Sequence, residues 1–96
     1  MVIDSEPKNY EAMDIVQLQT DSIAEPILQR LALEFLRTKD REYFIENFTG
    51  ELDSEGYLIR KSGDALTRPS QEIGGGAIML EIVEKTKAEL KKRGYL

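Results

Sequence analysis

The sequence predicts an α+β fold with an N-terminal strand, one long or two consecutive helices, a small antiparallel hairpin and a C-terminal helix. Apolar residues recur at helical spacing over residues 23–48 and again over residues 75–93. Between these stretches, residues 51–68 combine turn-forming residues with short apolar runs, which is typical of a hairpin. A chain of 96 residues suits one domain. We place this domain over residues 13–96 and predict a flexible arm over residues 1–12.

The N-terminal strand is predicted from partial alternation over residues 13–20. Val16, Leu18 and Thr20 fall on one side, with polar residues between them. This period of two is that of a half-buried strand. A short helix covering Tyr10–Gln19 is the alternative.

The first long helix is predicted to begin near Asp21–Ser22, with Ser22 as the first residue of its capping pattern. Glu25 follows three residues later, which is the spacing of a capping box. Pro26 is tolerated only in the first turn of a helix, so the start can shift by a residue or two.

Asp40 is predicted to cap a second helix over Arg41–Phe48, and Gly50 is predicted to end it. No glycine or proline separates this helix from the one before it. A single continuous helix over residues 23–48 is therefore the alternative.

The hairpin is predicted from two turns and the strands beside them. Asp53–Gly56 has the composition of a type I turn, and the strand Tyr57–Arg60 follows it. Ser62-Gly63 forms the second turn before residues 65–68. Three short strands are the alternative, if Leu52 also joins the sheet.

The C-terminal helix, over residues 75–93, has a clear predicted end. Gly94 falls at the first position beyond the helix, where a left-handed glycine is common. Tyr95 and Leu90 then occupy the two positions that pack together in a Schellman motif. We therefore expect the residues after this helix to be ordered.

Missing residue types restrict the chemistry of the chain. It contains no histidine and no cysteine, so the usual proton carrier near neutral pH and the usual sulfur nucleophile are absent. It also has no Gly-x-Ser-x-Gly elbow. We therefore expect no catalytic residue, no metal and no cofactor, and predict that the protein is not an enzyme.

Two short motifs partly match ligand-binding patterns. Glu51–Gly56 carries acidic residues and a glycine at calcium-loop spacing, but Ser62 stands where the closing bidentate glutamate belongs. Gly74–Gly76 precedes a helix but lacks the spacing of a phosphate-binding loop, and Glu72 beside it would repel an anion. We interpret the first motif as a turn, and the second as a flexible connection or a place of close backbone packing.

The location is predicted from what the sequence lacks. No apolar run approaches the roughly 20 residues of a membrane helix. The N-terminus has neither a basic start nor an apolar signal core. A disulfide-stapled extracellular scaffold is excluded, because there is no cysteine. We expect a cytoplasmic protein that does not contact a membrane.

Charge is distributed unevenly along the chain, whose net charge is −5. Residues 1–57 hold 13 acidic and 5 basic side chains, whereas residues 58–96 hold 5 acidic and 8 basic ones. An acidic surface keeps a protein soluble. A sharper interpretation is that the acidic half docks on a basic partner.

Three leucines lie outside or at the edge of the apolar stripes of their helices: Leu33, Leu36 and Leu80. They predict an apolar contact with another protein or with a second copy of the chain. The alternative is that the helices are covered on both sides within the fold. With no catalytic chemistry evident, we expect a small regulatory or adaptor protein.

Nucleic-acid binding is the second functional hypothesis, because two helices followed by a basic hairpin loosely resemble a winged helix-turn-helix. The residues that would carry it are Arg60, Lys61, Arg68, Lys91 and Lys92. The segment in the recognition-helix position carries Glu42 and Glu46, which suit a phosphate backbone poorly. Nucleic acid is therefore an unlikely partner, and a small-ligand or enzyme role ranks third.

Overall fold

Five α-helices and one three-stranded antiparallel sheet make up the part of the chain that a computed structural model describes, residues 9–63 and 66–96. In chain order, the elements are a 3-10 turn (Tyr10–Ala12), α1 (Ile15–Thr20), α2 (Ala24–Lys39), α3 (Arg41–Asn47), β1 (Phe48–Leu52), β2 (Leu58–Arg60), β3 (Leu66–Thr67), α4 (Pro69–Ile73) and α5 (Ala77–Lys92). The predicted α+β class, hairpin and C-terminal helix are confirmed. Most of the predicted arm lies outside the described residues, as does Ala65 of the predicted last strand.

The predicted N-terminal strand is wrong, because residues 15–20 form helix α1. The Asp14 carboxylate accepts a hydrogen bond from the backbone N–H of Gln17 (2.9 Å), and the Gln17 side chain accepts one from the N–H of Asp14 (3.0 Å). This reciprocal capping box satisfies two N–H groups that a short helix would otherwise leave unpaired. The local capping hydrogen bonds therefore stabilise a helix despite the partial alternation. The alternative prediction, a short helix over Tyr10–Gln19, agrees better with the observed α1.

Asp21, rather than Ser22, supplies the cap at the start of α2. Its Oδ1 accepts hydrogen bonds from the backbone N–H groups of Ile23 (2.8 Å) and Ala24 (3.0 Å). The same oxygen accepts a hydrogen bond from the Tyr10 hydroxyl at 3.1 Å. One buried carboxylate therefore starts α2 and anchors the 3-10 turn to it.

α2 and α3 are two consecutive helices that break at Asp40. The Asp40 side chain makes no capping hydrogen bond, but its backbone carbonyl accepts one from the N–H of Phe44 at 3.0 Å. The prediction that Gly50 ends the second helix is wrong. α3 ends at Asn47, and Gly50 lies inside β1, where its carbonyl accepts a hydrogen bond from Arg37 at 2.7 Å.

The sheet has the strand order β1-β2-β3, so the three-strand alternative is the one observed. The turn predicted at residues 53–56 is confirmed, because Gly56 donates its N–H to the carbonyl of Asp53 at 3.1 Å. The Asp53 carboxylate also accepts the N–H groups of Glu55 and Tyr57, both at 2.9 Å. The second turn closes through a 2.9 Å bond from the N–H of Gly63 to the carbonyl of Arg60.

Two adjoining faces of α2 are buried in two different apolar clusters. One face packs against α1, the 3-10 turn and α5. The buried residues of this first cluster are Tyr10, Leu18, Ala24, Ile27, Leu28, Ala32, Met79, Ile82, Val83 and Leu90. The other face meets α3 and the sheet, and its buried members are Leu36, Phe44, Phe48 and Leu58. Since α2 contributes to both clusters, it connects the helical half of the fold to the sheet.

Helix α4 was not predicted, and polar side chains fasten it to α2. The buried Gln29 amide donates to the Ser70 hydroxyl at 2.8 Å and accepts the N–H of Ser70 at 3.0 Å. Gln19 of α1 donates to the same hydroxyl at 3.2 Å. Pro69 occupies the first turn of α4, where its missing N–H costs nothing.

A second polar cluster joins α3, α4 and the sheet around Glu72. Its carboxylate, whose side chain is only 8% exposed, forms an ion pair with Arg60 at 2.8 Å and accepts a hydrogen bond from Thr67 at 3.1 Å. The Tyr43 hydroxyl also donates to it. This hydrogen bond, together with burial and the negative charge of Glu72, raises the pKa of Tyr43 above its ordinary value of 10.0.

The stabilisation that the protonated Tyr43 hydroxyl gives to the folded state should be lost at alkaline pH. Because the folded-state pKa lies above that of the unfolded chain, the contribution is fully present below pH 10.0 and is lost as the pH rises through the folded value. Urea denaturation should show that the wild type loses more unfolding free energy above pH 10.0 than Tyr43→Phe does. Parallel pH dependences in the two proteins would contradict this assignment.

The predicted end of α5 is confirmed. The N–H of Tyr95 donates to the carbonyl of Leu90 at 2.9 Å, and that of Gly94 donates to Lys91 at 3.0 Å, which together form a Schellman motif. The Tyr95 ring contacts Tyr10 edge-on, with 6.2 Å between ring centroids. The last residues are thus tied back to the 3-10 turn.

Gly94→Ala should lower the unfolding free energy by about 1 kcal/mol, because Gly94 has a φ of +89° that disfavours any side chain. Gly75→Ala is the matched control. Gly75 is not in the left-handed region, and nothing lies within 4 Å of the position that a Cβ would take. Equal denaturation midpoints for the wild type and Gly94→Ala would mean that the motif contributes nothing.

Candidate protein-contact surface

The structure places the three predicted interface leucines in three different environments. Leu36 is 2% exposed and belongs to the core cluster next to the sheet. Leu33 is half-buried and packs against the same cluster. Leu80, in contrast, is 68% exposed on α5. The alternative of a helix covered on both sides therefore holds for α2, and Leu80 is the leucine that remains at the surface.

Leu80 borders a groove between α1 and the first half of α5, with a volume of about 500 Å³. Its apolar lining consists of Met13, Ile15, Met79, Leu80 and Val83. Asp14, Glu84, Lys87 and the backbone at Gly75 and Gly76 complete the lining. We call this the α1–α5 groove.

Local structure on both sides positions the two walls of the groove. The capping box at Asp14 starts α1 and so places Met13 and Ile15 at the groove. On the other side, Gly74 and Gly76 have φ values of +80° and +86°, which bring the chain out of α4 and into α5. No atom lies within 4 Å of a Cβ built at either glycine, so the close-packing interpretation of this motif is wrong.

Two more exposed apolar residues lie on the same two helices but are not among the residues that line the groove. Val16, which follows Ile15 on α1, is 61% exposed. Ile78, which precedes Met79 on α5, is 42% exposed. Further exposed apolar residues lie singly on other elements, among them Ile45 on α3 and Leu66 on β3. Isolated exposed residues of this kind are common and carry no inference, whereas Leu80 is exposed beside other apolar residues that line a groove.

Sequence reasoning identified Leu80 but missed the α1 side of the groove. The sequence pattern predicts a strand at Met13 and Ile15, and a strand there gives no reason to expect contact with α5. The signal was present in the spacing of Asp14 and Gln17, which matches that of a capping box with an aspartate at its first position.

The arginines of the nucleic-acid hypothesis have partners within the fold. Arg60 pairs with Glu72, and its guanidinium lies 4.9 Å from the centre of the Phe48 ring. Arg68 pairs with Glu25, and its guanidinium lies 4.7 Å from the centre of a tyrosine ring. Their charges are therefore largely compensated. The three lysines, Lys61, Lys91 and Lys92, are exposed at the ends of β2 and α5.

Within the described residues, no group of three or more acidic side chains is arranged to hold a metal ion. None of the helices in this part of the chain has the length and apolar character needed to span a bilayer. Comparison with protein-family models, with curated proteins and with solved structures finds no match to this chain. The candidate surface is therefore defined by its geometry alone.

Proposed function

We propose that this chain is a cytoplasmic, non-catalytic regulatory or adaptor protein that receives an amphipathic helix of another protein in the α1–α5 groove. The observation that carries the proposal is the 68% exposure of Leu80 beside four other apolar lining residues. A single exposed leucine is unremarkable, but a leucine at the edge of an apolar groove offers a continuous surface to a partner.

The chemistry of the lining suits the apolar ridge of a helix. Fully burying a leucine side chain stabilises a complex by about 1.5–3 kcal/mol, so Leu80 can contribute a large share of a binding energy. Met13 and Met79 have unbranched, flexible side chains that adapt to the shape of an inserted residue. Helices bind in such grooves through apolar residues at positions i, i+3, i+4 and i+7.

The charge of the chain favours a different protein over a second copy as the occupant. The net charge is −5, and Asp14 and Glu84 both line the groove. Two copies joined through this groove would place four of these carboxylates in one interface. Like charges brought together at an interface oppose association.

The same charges disfavour nucleic acid as a partner. Binding to a phosphate backbone requires uncompensated cations on one face. Arg60 and Arg68 already pair with carboxylates inside the fold. No observation favours nucleic-acid binding over protein binding as the function.

Leu80→Ser should weaken the binding of a helical peptide at least about tenfold, because it removes apolar surface without changing the charge of the groove. The probe is a fluorescent synthetic peptide of about 18 residues, or five helical turns, with leucines at positions i, i+3, i+4 and i+7 and lysine elsewhere. Fluorescence anisotropy gives the affinity, and circular dichroism checks the fold.

Leu66→Ser is the matched control, because Leu66 is a 54% exposed leucine on β3, outside the groove. It should leave the affinity unchanged. If both variants bind like the wild type, or if the wild type does not bind the peptide, the α1–α5 groove is not the contact site.

A further inference from the structure

Each of the two walls of the α1–α5 groove carries an acidic side chain. This negative charge indicates which charge a helix bound in the groove should have. Asp14 lies at the start of α1 and Glu84 lies on α5, and both line the groove. Glu84 is exposed and forms no hydrogen bond or ion pair with another described residue. A cation brought in by a partner would meet an uncompensated carboxylate there.

Lys87 is the cation among the lining residues, and the fold already uses it. Its Nζ donates to the backbone carbonyl of Glu11 at 2.8 Å, which holds the ammonium next to the 3-10 turn. The lining thus combines two carboxylates, Asp14 and Glu84, with one ammonium that is held in place.

We infer that the helix received by the groove is basic, with lysine or arginine side chains flanking its apolar ridge, so that one cation meets Glu84 and another meets Asp14. This inference rests on the proposed function and adds the charge of the partner to it. Apolar contact with Leu80 supplies affinity. The flanking cations supply specificity, because they favour basic over neutral or acidic helices that have the same apolar ridge. Each exposed ion pair changes affinity by only about two- to fivefold, so selectivity requires several pairs.

The first experiment compares three peptides that share one leucine ridge and carry lysine, glutamine or glutamate at the remaining positions. The full-length chain should bind the lysine peptide about tenfold or more tightly than the glutamate peptide at low salt. The glutamine peptide should lie between them. In roughly 1 M salt, where charges are screened beyond about 3 Å, the three affinities should converge.

The second experiment removes the charges of the two acidic side chains while nearly preserving the shape of those side chains. Glu84→Gln combined with Asp14→Asn should lower the affinity for the lysine peptide about four- to tenfold, and the affinity for the glutamine peptide by a clearly smaller factor. Asparagine caps a helix as well as aspartate does, so α1 keeps its start. Glu81→Gln is the matched control, because Glu81 is an exposed glutamate of α5 that pairs with Lys85 and does not line the groove.

The outcomes separate this inference from the proposed function. If the lysine and glutamine peptides bind with equal affinity, and Leu80→Ser weakens the binding of both, the groove binds helices without a charge preference. The basic-helix inference then fails, and the proposed function stands. If Glu81→Gln weakens lysine-peptide binding as much as the double variant does, the preference reflects net charge and the inference again fails. If no peptide binds, both fall together.

Discussion

The burial of α2 on two adjoining faces is the constraint on which the rest of the structure depends. One face supplies Ile27 and Leu28 to the cluster shared with α5, and the next supplies Leu36 to the cluster beside the sheet. Neither cluster is large, and a small domain has little apolar area to bury. A helix that belongs to both clusters lets them support each other. Among the described residues, neither α5 nor the three-stranded sheet has a comparable apolar partner elsewhere.

Buried polar side chains fix the position of the remaining elements around α2. Gln29 holds α4 through Ser70, and Asp21 joins the start of α2 to the 3-10 turn. Each of these polar groups is hydrogen-bonded, and no buried side-chain nitrogen or oxygen of the described residues lacks a partner. Hydrogen bonds of this kind add modest net stability but exclude arrangements that would leave a polar group buried and unpaired. The groove follows from this arrangement, because the inner faces of α1 and α5 pack in the first cluster and their outer edges stay open.

The sequence predicted those elements whose signals are local. The end of α5 at Gly94 and the turn at Asp53 could be predicted from residue type and spacing, whereas the sequence left open whether residues 23–48 form one helix or two. The strand assigned to residues 13–20 failed because a six-residue helix is too short to show a helical period, and its capping box was overlooked. The sequence pattern predicts a surface position for Leu36, because the pattern of a single helix cannot show that α2 packs against two partners. Of the candidate site, Leu80 could be predicted, whereas the wall formed by Met13 and Ile15 depends on a tertiary contact.

Native-state hydrogen exchange measures directly whether α2 holds the two clusters together. The amides of α2 between Leu28 and Leu36 should exchange only through global unfolding, with a protection free energy equal to the unfolding free energy from denaturation. The amides of α1 should exchange faster, through local opening. If the central amides of α2 exchange as fast as those of α1, or if the sheet and α5 retain protection after α2 has lost it, then α2 is not the element on which the fold depends.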